Sequence, residues 1–353
     1  MRHLARLLAL SILLADAAEA QQPRAPQPDL PVDAAVRARV VSKAVDVLER
    51  SYVSADAARR MAEALRARER AGAYDAVTSA DAFARALTDD LRAVSHDKHL
   101  RVTYSHAPVP PDREGFGPPA PTAENAAFRR SVNFGFEKLE RLPGNIGYLE
   151  LRGFDDAALA GPTLAAAFAF LAETDALLID LRRNPGGSGE TVALLASYLF
   201  DAPTHLNSIV WRESGRTEES WTTADVPGRR YGQTKPVYVL TSDRTFSAAE
   251  ECAYDLQTRK RAAVVGATTG GGAHAGGARR LDDHFEMWVP AGRAVNPVTK
   301  TNWEGVGVVP DHEAPDALAA AQVLALQALL PSVTGPRADL MRRRLEELQR
   351  AAP

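Results

Sequence analysis

Hydrophobic positions recur at helical spacing through residues 32–94. Val36, Val40, Val41, Val45 and Leu48 form one stripe, Met61, Leu65 and Arg68 a second, and Phe83, Leu87 and Leu91 a third. Start signals at Pro31-Val32-Asp33 and Thr78-Ser79-Ala80-Asp81 punctuate them. Residues 99–104 then alternate as a strand does. A Pro-rich, Gly-containing stretch at 107–121 reads as a linker or mobile loop and marks a domain boundary.

Beyond that boundary the grammar changes to short apolar runs separated by helical ones. Strands are expected at 146–151, 176–181, 236–241 and 262–265. Helices are expected at 157–172, 191–200 and 248–257, with two more at 317–330 and 339–349. Continuous apolar strands alternating with helices imply a buried, largely parallel sheet, so the fold class is α/β.

Composition narrows the picture. The chain has 353 residues, 45% hydrophobic and 25% charged, with a net charge of −3 and one cysteine. That describes a globular protein of roughly two domains and gives no reason to expect nucleic acid as a partner. Arg2, His3 and Arg6 precede an apolar run at 7–14 and an Ala18-Glu19-Ala20 site, the pattern of a signal peptide (1–20) cleaved after Ala20. The run is too short for a membrane span. Residues 21–31 read as a leader of the mature chain. A periplasmic or secreted location is expected, and Cys252 has no partner for an internal disulfide.

The candidate chemistry centres on Ser247, placed where the strand at 236–241 gives way to a helix. A hydroxyl there sits among free backbone N–H groups at the positive end of the helix. Ser247 and Glu250 also form Ser-x-x-Glu, the capping-box pattern, so a cap alone would explain the serine. A second turn, Asn184-Pro185-Gly186-Gly187-Ser188, follows the strand at 176–181 and opens the next helix. Its glycines allow backbone N–H groups to approach an anion. In a parallel sheet both turns emerge at the same edge. The chain has eight histidines. His205 and His312 fall in short connections expected to be solvated. His96 and His99 in Ser-His-Asp-Lys-His, His274 in a glycine-rich run at 270–277, and His284 lie near punctuation. The His96–Asp97–His99 cluster lacks the spacing of a zinc motif, and the glycine-rich run lacks the Gly-Lys-Ser/Thr of a nucleotide cradle. No metal and no cofactor are expected.

From about residue 36 to 328 the sequence resembles the tail-specific (C-terminal-processing) serine peptidase superfamily. The nearest likeness is to the branch named for interphotoreceptor retinoid-binding protein, with a more distant one to the tricorn protease core. The likeness rests on Asp97-Lys98-His99, Gly147-Tyr148-Leu149, the run from Asp180 to Gly187, Thr245-Phe246-Ser247-Ala248-Ala249-Glu250, Thr269-Gly270-Gly271-Gly272-Ala273-His274, and the run from Glu304 to Asp311. The resemblance implies a crotonase/Clp-protease-like catalytic core (142–330) preceded by a small helical N-terminal domain (32–106), with a C-terminal helix in 331–353. It implies Ser247 as nucleophile, His99 as general base and Glu304 as the triad carboxylate. The amides of Gly186 or Gly187 and of Ala248 would form the oxyanion hole. His274 matches a histidine of that branch, and His96 is the second candidate base. Two departures stand out. Gly271-Gly272-Ala273 occupies the region where tail-specific proteases carry a lysine base, and 107–141 is too short for their PDZ domain. The expected function is an exported serine peptidase acting on a peptide or protein through an acyl-enzyme. The alternative is a non-catalytic carrier of retinoid-type or fatty-acid-type ligands on the same scaffold.

Overall fold

In the computed structural model, residues 27–111 and 123–351 are described. The signal-peptide region lies outside them, as does most of the Pro-rich stretch at 107–121. Three N-terminal helices follow the expected stripes: α1 (Ala34–Ser51), α2 (Ala55–Arg70) and α3 (Ala80–Ser95). Each starts on a side-chain cap, with Asp33, Ser54 and Ser79 accepting the backbone N–H groups of Val36, Ala57 and Ala82. Their stripes are buried, apart from Val36, which is half-buried, and Arg68, which is exposed and paired with Asp90. Residues 27–31 of the expected leader are tied down as well. Gln27 and Pro28 bond to β1 (Arg101–Tyr104) and the turn after it.

A six-stranded sheet carries the core of the chain. Helix α4 (Ala123–Ser131) leads into β2 (Phe136–Leu142), which hairpins onto β3 (Ile146–Leu151). Then come α5 (Ala157–Leu171), β4 (Ala176–Asp180) and α6 (Gly189–Ser197). The second half of 107–141, expected as linker, is therefore a helix and an edge strand of this sheet. After β5 (His205–Trp211) and β6 (Thr217–Trp221) the chain returns as β7 (Val237–Thr241), α7 (Ala248–Thr258) and β8 (Ala263–Gly266). Residues 274–295 form β9 (His274–Asp282) and β10 (Phe285–Val295), followed by β11 (His312–Glu313), α8 (Ala317–Leu329) and α9 (Gly335–Ala351). The sheet order is β11-β8-β7-β4-β3-β2, with every pair parallel except β2–β3. Both faces are covered. In β4, Leu177 and Ile179 pack towards α5–α7 while Ala176 and Leu178 pack towards α8 and α9, which is why that strand reads as an unbroken apolar run.

A second sheet, not expected from the sequence, runs β1-β10-β5-β6, with β9 also paired to β10. Its strands carry weak signals for physical reasons. Strand β6 (Thr-Glu-Glu-Ser-Trp) is largely exposed, β9 contains two glycines and two arginines, and β10 contains Pro290 and Gly292 at a register shift. Proline in a strand is tolerated at such a bulge. Through this sheet the helical region joins the rest of the chain. Leu281, Phe285, Met287 and Val289 complete one apolar core with α1–α3 and β1. Phe285 meets Phe83 edge-on, with ring centroids 5.9 Å apart.

That shared core predicts one unfolding transition. Phe285→Ala should lower stability by about 3–5 kcal/mol, with far-ultraviolet circular dichroism and tryptophan fluorescence still moving together in urea. Separate transitions would show that the helices fold independently of β9 and β10.

Candidate functional site

Strands β4 and β7 are adjacent and parallel, so their carboxyl ends deliver two turns side by side. The turns are laced together. Ser242 Oγ donates to the Arg182 carbonyl, Thr245 Oγ1 to that of Leu181 at 2.8 Å, and the Phe246 N–H to that of Asn184 at 3.1 Å. Buried Asp180 anchors the base of the first turn through Tyr148 Oη and the Arg182 guanidinium. Gly186 and Gly187 have φ of +109° and +134°, conformations that side chains rarely adopt. A Cβ on Gly186 would stand 2.8 Å from the Ser247 Cβ and 2.9 Å from the Ala248 nitrogen, and one on Gly187 would strike the Phe154 carbonyl. Glycine is what lets the first turn close on the serine.

Ser247 itself has φ 55° and ψ −124°, an unfavourable conformation for a residue with a Cβ. It is held there by the carboxylate three residues on. The Ser247 N–H donates to Glu250 Oε2 at 2.9 Å, and the same buried carboxylate accepts from the Gly271 and Gly272 amides and from Thr269 Oγ1. The Ser-x-x-Glu pattern thus binds the start of α7 to the loop at 269–272. Burial pushes the Glu250 carboxyl above its usual range, opposed by the Thr269 hydroxyl and the three amides.

The histidines arrive from the other sheet. After α3, His96 ends the helix in a left-handed C-cap and is exposed, while buried Asp97 accepts the His99 N–H at 2.9 Å. Lys98 Nζ reaches the Gly270 carbonyl at 2.6 Å, fixing this turn to the glycine-rich loop. The His99 ring packs on Phe246, the residue before Ser247, with centroids 4.5 Å apart. Gly272 makes room, since a Cβ there would lie 2.7 Å from His99 Cε1 and closer still to the Phe246 ring. Neither ring nitrogen of His99 has a hydrogen-bond partner among the described residues, so in this conformation it is not bonded to the serine hydroxyl. Burial lowers its pKa to about 4, against the opposing pull of Asp97, which leaves the imidazole neutral at pH 7.

Two carboxylates and a second imidazole adjoin it. His99 Nδ1 lies 3.8 Å from Asp97 Oδ1, while His274 Nδ1 lies 3.5 Å from both Asp97 Oδ2 and Glu304 Oε2. Tyr52 Oη donates to Asp97 Oδ2, and the Ala273 and His274 amides donate to Glu304 Oε2. Burial works to raise the Asp97 pKa, yet the nearby His274 and His99 outweigh it and hold the carboxyl below its usual range. Glu304 is pushed up, first by burial and then by the charge of Asp97.

Ser247, Ala248, Gly186 and Gly187 therefore meet at one sheet edge, and His99 abuts that edge through Phe246. Glu304 and His274 form a neighbouring pair bridged to His99 by Asp97. His96 faces solvent. His205 is not in a solvated connection, because it begins β5 and stacks on Trp221, while His312 is exposed in β11. Sequence reasoning missed the roles of Asp97, Glu250 and Tyr52. Asp97 was weighed only as a member of a metal cluster with His96 and His99, and Glu250 only as a cap. Nothing in the sequence marked Tyr52.

The strained serine at a strand-to-helix turn thus lies beside a glycine turn on the adjacent parallel strand, with its hydroxyl at the start of a helix. Comparison with known proteins gives the family. The model for peptidase family S41 matches residues 145–314, and that for the N-terminal domain of the S41 peptidase in eukaryotic IRBP matches residues 33–138. The chain belongs to peptidase family S41. Two chloroplastic carboxyl-terminal-processing peptidases of Arabidopsis thaliana are similar in sequence. Peptidase 2 is 30% identical over 193 residues, 53% of this chain, and peptidase 1 is 29% identical over 182 residues, 51% of it. The match spans only 36% of the length of either relative. Among solved structures, a protein from Parabacteroides merdae aligns with a TM-score of 0.57 at 18% identity, covering 85% of this chain and 99% of the other. A lipoprotein from Streptococcus agalactiae aligns at 0.55 and 15% identity, covering 82% and 96%. These two share the fold.

The Glu250 network yields a sharp test. Each carboxylate oxygen accepts two donors, so Glu250→Gln would turn an amide NH2 towards two N–H or O–H groups. The substitution should cost about 2–4 kcal/mol, measured by urea denaturation. A change below about 0.5 kcal/mol would show that the network is not what holds the turn.

Proposed function

We propose that the chain is an exported serine peptidase that cleaves a peptide or protein through an acyl-enzyme on Ser247, with His99 as base. The observation that carries this reading is the close approach of the Gly186 turn to Ser247, which brings backbone amides and a strained hydroxyl together at the start of α7. A cap needs neither the strain nor the second turn. Of the two glycine amides, the Gly186 N–H is already donated to Asn184 Oδ1 at 2.8 Å, so Gly187 and Ala248 are the better oxyanion donors. Serine requires a neighbouring base, and a neutral imidazole against Phe246 is ready to accept a proton once its ring turns to the hydroxyl. Apo geometry of this kind tightens on binding substrate.

Asp97 is the carboxylate nearest His99, and it steadies the imidazolium that forms during attack. Glu304 supports the same network through His274 rather than by contact with His99. The triad reading thus becomes Ser247 and His99 with two carboxylates behind them. Export with removal of residues 1–20 belongs to the same proposal and is read by mass spectrometry of the mature chain.

A fluorophosphonate probe should label the folded protein on Ser247, and Ser247→Ala should abolish the adduct. His99→Ala should slow labelling by about 100- to 10,000-fold, whereas His96→Ala should cost far less. Equal losses would remove His99 as base. Saturable retinoid or fatty-acid binding, unaffected by Ser247→Ala and without labelling, would replace the enzyme by the carrier.

The base should also set an unusual acid limit. With its folded pKa near 4, below the unperturbed value near 6.5, His99 stays neutral through pH 6 to 5. The labelling rate should therefore fall mainly as pH drops towards 4. Stability follows the same sign: the unfolded chain binds the extra proton between about 6.5 and 4, so His99 favours the folded state above that window and opposes it increasingly as pH falls through it. An acid limb centred near 6.5 would show that the working base is a solvated histidine.

A further inference from the structure

We propose that Asp97, His274 and Glu304 form a binding site for a divalent transition cation, with zinc the best match, and that filling it silences the serine. One ligand atom from each residue lies within 4.8 Å of the other two. The three come from different elements: the turn after α3, the first residue of β9 and the loop after β10. His274 Nδ1 is buried and has no hydrogen-bond partner among the described residues, though it stands 3.5 Å from an oxygen of each carboxylate. That spacing is long for a hydrogen bond. It is close to the edge of a tetrahedron around zinc, about 3.4 Å for ligands about 2.1 Å from the metal.

The donor set and its support fit the same ion. Two carboxylates and one neutral imidazole balance a double positive charge, and imidazole favours zinc over magnesium or calcium. The ligating groups are already oriented, Asp97 by the Tyr52 hydroxyl at 3.0 Å and Glu304 by the Ala273 amide at 2.6 Å and the His274 amide at 3.2 Å. Three protein ligands leave a fourth position for water.

The regulatory half rests on the peptidase reading above. Asp97 faces both histidines, with Oδ1 towards His99 and Oδ2 towards His274. A cation drawing on Asp97 removes the negative charge that steadies the His99 imidazolium. Occupancy and proton transfer by His99 thus compete for one carboxylate.

Binding is tested first on the full-length Ser247→Ala protein, where no activity is needed. After chelator treatment, Co2+ should bind one ion per chain with the intense visible bands of a tetrahedral site, and Zn2+ should bleach them. His274→Ala and Glu304→Gln should each abolish the bands, Tyr52→Phe should weaken binding by about tenfold, and the exposed-residue control His312→Ala should change nothing. Absence of bands, or bands that survive His274→Ala, would overturn the site and leave a plain histidine–carboxylate pair. In the protein with Ser247 intact, Zn2+ should suppress fluorophosphonate labelling over the range in which it displaces Co2+, and chelator should restore it. Binding without suppression would overturn the regulatory half. A protein that binds Co2+ but never labels, even after chelation, would refute the peptidase reading and leave the metal site standing.

Discussion

The Glu250 carboxylate is the point on which the site depends. It lies in the interior, where an unpaired charge would be untenable, and it is tolerable only because four donors converge on it. Those donors belong to two segments, the start of α7 and the loop at 269–272, which are also joined by the Gly270 N–H donated to the Thr245 carbonyl. By holding both, one side chain fixes the serine backbone and also the loop that presents His274 and shelters His99. A helix cap, ordinarily a local device, here sets the relation between two parts of the chain.

The two sheets divide the remaining work. The buried parallel sheet aligns two turns by register alone, because β4 and β7 are paired from Leu177 with Val237 to Asp180 with Leu240. The second sheet carries α1–α3, and the turn after α3 brings Asp97 and His99 to the first sheet's edge. Neither sheet holds a complete site. Their junction at Phe246, Gly270 and Gly272 assembles it, and the bare Cα of Gly272 is the clearance that junction requires.

Legibility in the sequence followed burial. Strands β3, β4, β7 and β8 announce themselves as apolar runs because both their faces are covered, and the helices by stripes with capping residues. Of the second sheet only β1 was legible, as the alternation at 99–104, while β5, β6, β9 and β10 stayed hidden, since they are part-exposed, rich in arginine and glycine, or broken by Pro290. The domain boundary expected near 107–121 reflected composition, while the core of the helical region is completed by residues 281–289, far along the chain. At the site, the Gly-Gly turn was legible because its backbone requires glycine, and Ser247 because it stands where a strand gives way to a helix, whereas His99 was singled out among the histidines only by the family resemblance. The pairing of carboxylates could not: which of Asp97 and Glu304 faces which histidine depends on where β9 begins, and no local pattern encodes that.

The backbone at Ser247 has a consequence for the history of the protein. A residue with a Cβ at φ 55° and ψ −124° burdens the fold by about 1–3 kcal/mol, and glycine would relieve most of it. Drift towards greater stability therefore runs towards Ser247→Gly, a protein of the same shape with no nucleophile. The capping role offers little resistance, because glycine serves nearly as well at that position. In a lineage that no longer needed the hydroxyl, this is where its loss would first be written, while the sheet and both cores remained intact.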